Sequence, residues 1–131
     1  MKVLALDYGA ARTGVAVSDP TGTVARPVGV VERAASRDGL ARLVELVRAE
    51  APERVVVGLP LTLRGERGEQ ARATERFCEA LRAVLDVPVL LFDERFTTDL
   101  AQQTPSGSSE DARAAAHLLS SYLAWSSGAP A

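Results

Sequence analysis

Residues 54–59, RVVVGL, form an apolar run without a break, and Pro60 closes it. A strand with one wet face alternates. A run that is apolar throughout reads as a strand covered on both faces. The stretch 87–92, VPVLLF, has the same character. Between the two lies a helical pattern near 69–85, with Phe77, Cys78, Leu81 and Val84 on its inward face. Two doubly covered strands joined through a helix demand a layered α/β chain, with helices on both sides of a sheet.

The rest of the chain fills in that sheet. Residues 2–8 (KVLALDY) alternate and stop at Gly9, which gives a first strand. Residues 13–19 (TGVAVSD) give a second, reached through the short turn GAAR. A third runs over 23–32, and Pro27 inside it marks an edge strand. Ser36 is a suitable N-cap for a helix over 37–50, with Leu40, Leu43, Val44 and Val47 on one face. A last helix is expected near 109–125, after a polar stretch at 104–111. The expectation is therefore a mixed five-stranded sheet, three antiparallel strands and then two parallel ones, flanked by helices. With right-handed crossovers the first, fourth and fifth strands run parallel, with the first in the middle. One domain over 1–126 and a tail over 127–131 complete this reading.

Ligands gather outside the carboxyl ends of parallel strands, so the acids there matter. Asp7 ends the first strand, and Asp93 and Glu94 end the fifth. Asp111 falls in the first turn of the last helix, on an inward face that runs 111, 115, 118, 122. Converging carboxylates repel one another unless a proton or a cation sits between them. Hard oxygen donors suit Mg²⁺ or Mn²⁺, and two such ions about 4 Å apart activate water and stabilise a leaving alkoxide in phosphodiester hydrolysis. Each acid also has a plainer reading. Asp7 could accept hydrogen bonds from the Gly9–Arg12 turn, and Asp111 could close a capping box with Ser108. Strand alternation lets only one of Asp93 and Glu94 face the others, leaving its neighbour free to pair with Arg95.

The same edge carries Arg12, Arg64, Arg67 and Arg95, either as a phosphate-binding rim or as solvated loop charge. Net charge is −2 and the pI about 5.4, against the character of a general nucleic-acid coat but not against a local patch. A single cysteine, Cys78, excludes an internal disulfide and points with the absent signal pattern to the cytoplasm. No apolar stretch is long enough to span a bilayer. His117 falls opposite the inward face of the last helix and reads as solvated. No Ser-His-Asp set, Walker loop or metal-thiolate spacing is present.

Four ordered segments, DYGAARTGVAVSD, VVVGLPLTLRG, DERFTT and EDARAAAHLLSSYL, resemble the motifs of the YqgF/RuvX family. That family comprises small bacterial proteins of ribonuclease H-like fold. Its members are described as Holliday-junction resolvases and as nucleases that mature the 5′ end of 16S ribosomal RNA. The resemblance implies that Asp7, Glu94 and Asp111 are catalytic metal ligands for Mg²⁺ or Mn²⁺. It also places the Gly58–Gly65 loop and Arg95 beside a substrate, either pre-16S rRNA or branched DNA. The chain departs from the family before the third acid, where the usual longer Lys-containing segment is replaced by QQTPSGSSED. Two further readings are a nucleic-acid-binding protein of this fold with weakened catalysis, and an ATP-binding phosphotransferase-like domain. The latter needs a second lobe, for which 131 residues leave no room. A two-fold dimer would suit a symmetric four-way junction.

Overall fold

The computed structural model describes residues 1–96 and 110–127. Its strands are β1 (Val3–Asp7), β2 (Arg12–Ser18), β3 (Ala25–Glu32), β4 (Arg54–Leu59) and β5 (Val89–Asp93). Its helices are α1 (Arg37–Glu50), α2 (Glu69–Val84) and α3 (Glu110–Ser126). The strands form one sheet in the order β3-β2-β1-β4-β5. Pairing is antiparallel for β1 with β2 and β2 with β3, and parallel for β1 with β4 and β4 with β5. This is the expected mixed sheet with β1 at its centre. Pro27 lies in edge strand β3, beside a bulge that shifts the register between Val15 and Ala16.

Strand alternation sorts the sheet into two faces. Leu4, Leu6, Val15, Val17, Val55, Val57 and Val89 pack with Leu43, Val47, Phe77, Cys78 and Leu81 of α1 and α2. Val3, Ala5, Ala16, Val56 and Phe92 pack with Ala115, Leu118, Leu119 and Tyr122 of α3. Helix α1 starts where expected, because the Ser36 hydroxyl accepts from the Gly39 N–H at 3.0 Å. Its end at Ala51 adopts a left-handed cap whose N–H donates to the Val47 carbonyl.

Three expectations need correction. Val84, assigned inward, is exposed at the end of α2, where the helix has run past its packed stripe. His117, assigned to solvent, is half-buried. The buried stripe of α3 comprises Ala112, Ala115, Leu118, Leu119 and Tyr122, so Asp111 sits at its margin. The polar stretch at 104–109 and the tail beyond Ser127 lie outside the described residues. No helix among the described residues is long and apolar enough to cross a membrane.

Candidate active site

Asp7 ends the central strand, and its position follows from parity. Val3 and Ala5 face α3, so Asp7, two residues on, does too. Next to it, Tyr8 stacks on Phe77 with ring centroids 4.3 Å apart, which ties this end of β1 to α2. The residue opposite Asp7 on β2 is Gly14. An ideal Cβ on Gly14 would lie 1.9 Å from the Asp111 carbonyl oxygen, so only glycine lets the first turn of α3 settle there.

Glu94 opens a short 3-10 turn, Glu94–Phe96, directly after β5. Asp93 and Glu94 go to different partners, the first as the last residue of β5 and the second as the first of the turn. Asp93 binds Arg95, with Nη2 to Oδ2 at 2.7 Å and the Arg95 backbone N–H to Oδ1 at 2.9 Å. That partner holds Asp93 below the usual carboxylate range. Glu94 instead hydrogen-bonds to Asp7. Gly58 of β4 makes room for it: an ideal Cβ there would lie 2.6 Å from Glu94 Oε1.

The group that Asp7 meets is therefore a neighbouring carboxyl. Burial, and then the adjacent charge of Asp7, push Glu94 up to about 7. Burial raises Asp7 as well, and the nearby charge of Asp111 adds to that, while the hydrogen bond from Glu94 works against it. A proton shared between two carboxyls, held mainly on Glu94, satisfies all three effects.

Asp111 is close by but turned elsewhere. Its Oδ2 accepts from Arg12 Nε at 3.0 Å, and both side chains are substantially exposed. Among the described residues no group of three or more Asp, Glu, His or Cys side chains stands close enough together to hold an ion. Two acids meet, and the third faces Arg12. Half-buried carboxylate oxygens that must share a proton are a donor set suited to a hard divalent cation, which would displace that proton. Asp7 and Glu94 fit such an ion.

The four arginines have different partners. Arg12 pairs with Asp111 and Arg95 with Asp93. Arg67 turns along α2 and pairs with Glu75 at 2.6 Å. Arg64 is exposed and makes no ion pair with any described residue. It sits in a tight turn, in which the Gly65 N–H donates to the Thr62 carbonyl at 2.8 Å and the Glu66 N–H to Thr62 Oγ1 at 3.0 Å. Arg95 lies against that turn, its Nη1 3.2 Å from an ideal Cβ on Gly65. The spacing roles of Gly14 and Gly58 and the Tyr8 stack are not legible in the sequence, because they depend on what approaches from α3, Glu94 and α2.

The family model RuvX, described as Holliday junction resolvase, matches residues 1–125. A relative from Chloroflexus aurantiacus named "Putative pre-16S rRNA nuclease" is 46% identical over 101 residues, which cover 77% of this chain and 66% of the relative. The match thus spans just under two thirds of that relative's length. A relative of the same name from Syntrophus aciditrophicus is 37% identical over 132 residues, covering 94% of this chain and 88% of the relative. The structure of T. thermophilus RuvC in complex with a Holliday junction substrate superimposes with a TM-score of 0.63 at 20% identity. It covers 98% of this chain and 96% of that one, and at this identity the likeness shows the fold, the ribonuclease H-like one expected.

Proposed function

Because this chain belongs to the RuvX family of Holliday junction resolvases, we propose that it is a metal-dependent endonuclease that hydrolyses phosphodiester bonds in structured nucleic acid. The observation that supports this most is the direct contact of Asp7 with Glu94 at the carboxyl end of the central strand, with Asp111 beside them. Half-buried acids pressed together without a counter-charge cost stability, and active sites are where such costs are kept. In this reading Asp7 and Glu94 hold Mg²⁺ or Mn²⁺, and Asp111 completes the set. The ion, when bound, supplies an acidified water and positive charge for the leaving oxygen.

The chain's own residues supply the rest. Glu94 would release its proton to solvent on holding the cation. The Tyr8 stack and the space left by Gly58 hold the two carboxylates at fixed positions, so little reorganisation remains for the reaction itself. Arg64 is the arginine best placed for a phosphate, since no carboxylate among the described residues pairs with it. Arg12 and Arg67 are held in more exposed ion pairs that cost little to leave, whereas Arg95 is held by several hydrogen bonds to the less exposed Asp93.

The names of the relatives favour precursor 16S rRNA as substrate, and the description of the family favours four-way DNA. A weakened, binding-only protein is the second reading, favoured by the turn of Asp111 towards Arg12. The test is cleavage of a four-way DNA junction and of a precursor 16S rRNA fragment in Mg²⁺ and in Mn²⁺, with Asp7→Asn as control. Metal-dependent products that vanish in Asp7→Asn support the nuclease. Binding to either nucleic acid with no products in either metal supports the binding protein. A two-fold dimer acting in the cytoplasm completes the proposal, with solution scattering as the measure of its oligomeric state.

A further inference from the structure

We propose that Arg12 is a positioning residue that holds Asp111 away from the Asp7–Glu94 pair until a nucleic-acid phosphate takes its guanidinium. The proposal rests on the reading of Asp7, Glu94 and Asp111 as ligands of one divalent-ion site.

Three features of the fold make Asp111 a side chain with two places to go. First, its backbone is fixed: the carbonyl oxygen lies against Gly14, closer than any Cβ would allow. Second, Gly14 is directly across the antiparallel ladder from Asp7. Residues opposed in that way have Cα atoms about 4.5–5.5 Å apart, so Asp111 is anchored within a side chain's reach of Asp7. Third, Arg12 is two residues before Gly14 on the same strand, and so projects from the same face of the sheet. Rotation about the Asp111 side chain alone therefore exchanges Arg12 for the acid pair. No element has to move.

The contact that holds it is built to be exchanged. One guanidinium nitrogen, Nε, meets one carboxylate oxygen, Oδ2, at 3.0 Å. The side chains are 63% and 41% exposed, so solvent and salt weaken the pair. A phosphate offers the same guanidinium a two-pronged contact, which is the stronger geometry. When phosphate takes Arg12, Asp111 loses its partner beside two carboxylates that gain from a cation. Phosphate binding and metal binding are then positively coupled, each favouring the other by the same factor. The acids would be fully assembled only when nucleic acid is present, which limits metal loading and hydrolysis off substrate.

The test is a double-mutant cycle on Mn²⁺ affinity, read from the EPR signal of free Mn²⁺ with the full chain and no nucleic acid. The variants are Arg12→Ala, Asp111→Asn and the two combined. Arg12→Ala should tighten Mn²⁺ binding about two- to fivefold, the span that an exposed ion pair's strength allows. In the Asp111→Asn background the same change should leave affinity within error. An equal tightening in both backgrounds would mean that Arg12 acts only as a nearby positive charge, and overturns the proposal. So does an Arg12→Ala affinity equal to or weaker than that of the parent. Arg12→Gln repeats the comparison should Arg12→Ala fold poorly by near-ultraviolet circular dichroism. Mn²⁺ binding that Asp7→Asn leaves untouched, or no binding at all, would overturn the metal-site reading itself and the role of Arg12 with it.

Discussion

The two faces of the sheet are made from the same five strands and are used differently. On the face towards α1 and α2 the strands present Leu4, Leu6, Val15, Val17, Val55 and Val57, with Thr13, fully buried and two residues before Val15, as a polar member of the same face. On the face towards α3 the same strands present Ala5, Gly14, Ala16 and Gly58 among Val3, Val56 and Phe92. Helix α3 answers with Ala112 and Ala115 in its first turns. Bulk keeps helices away from a sheet, and small residues let them approach. The first face fills volume. The second gives volume up at its carboxyl end, so that acids from β1, the turn after β5, and α3 come within reach of one another. Bulk packing thus lies on one side of the layer and the gathered acids on the other.

The largest effect should come from breaking the first face. Leu81 of α2 is fully buried, and Leu81→Ala should cost about 2–5 kcal/mol. Denaturant melts measure that loss. Mn²⁺ affinity at a temperature where the variant remains folded should not change, because α3 does not touch this face. Gly58→Ala is the converse. Its new methyl would meet Glu94 and, at 3.1 Å, Leu118. About 1–3 kcal/mol of stability is at stake from overpacking, but displacing a proposed ligand by an ångström costs about a hundredfold in rate. Cleavage kinetics set beside melts should therefore show a rate loss far out of proportion to the stability loss.

A smaller effect belongs to pH. Glu94 is pushed up to about 7 in the folded chain, from an ordinary 4.5, and Asp7 is raised too. Between those values the folded chain holds a proton that the unfolded chain has released. Stability of the metal-free protein is then greatest below pH 4.5 as far as this group decides it, and falls as pH rises through 7. Glu94→Gln should flatten that decline in melts taken across pH 5–8. The opposite slope would mean that the two carboxyls do not share a proton. The smallest effect is expected at Arg64, where alanine should lower the salt slope for duplex DNA by about 0.9. Arg48, which only reaches the Val84 carbonyl at the far end of α1, should leave that slope unchanged.

The contrast between the faces also explains what could be read from sequence. The first face was legible, because alternation, an unbroken apolar run and an N-cap are local signals. Strand β4 and helix α1 begin and end where those signals put them. Val84 was misassigned because periodicity cannot say where the sheet beneath a helix stops. The second face was legible only in part. Alternation reduced Asp93 and Glu94 to a choice, the family resemblance favoured Glu94, and Glu94 is the one beside Asp7. The partner of Asp111 was hidden, because Arg12 is 99 residues away and meets it only through the sheet register. The spacer glycines were hidden too, since a glycine's role depends on what approaches it.

If the α3 face gathers Asp7, Glu94 and Asp111 around a divalent ion, anomalous diffraction from crystals grown in Mn²⁺ should locate that ion. A manganese peak is expected in contact with both Asp7 and Glu94, with the Asp111 carboxylate turned from Arg12 towards the metal wherever phosphate occupies the guanidinium. Saturating Mn²⁺ with no peak at the Asp7–Glu94 pair, or a peak held by other residues while those two carboxyls keep their hydrogen bond, would contradict it.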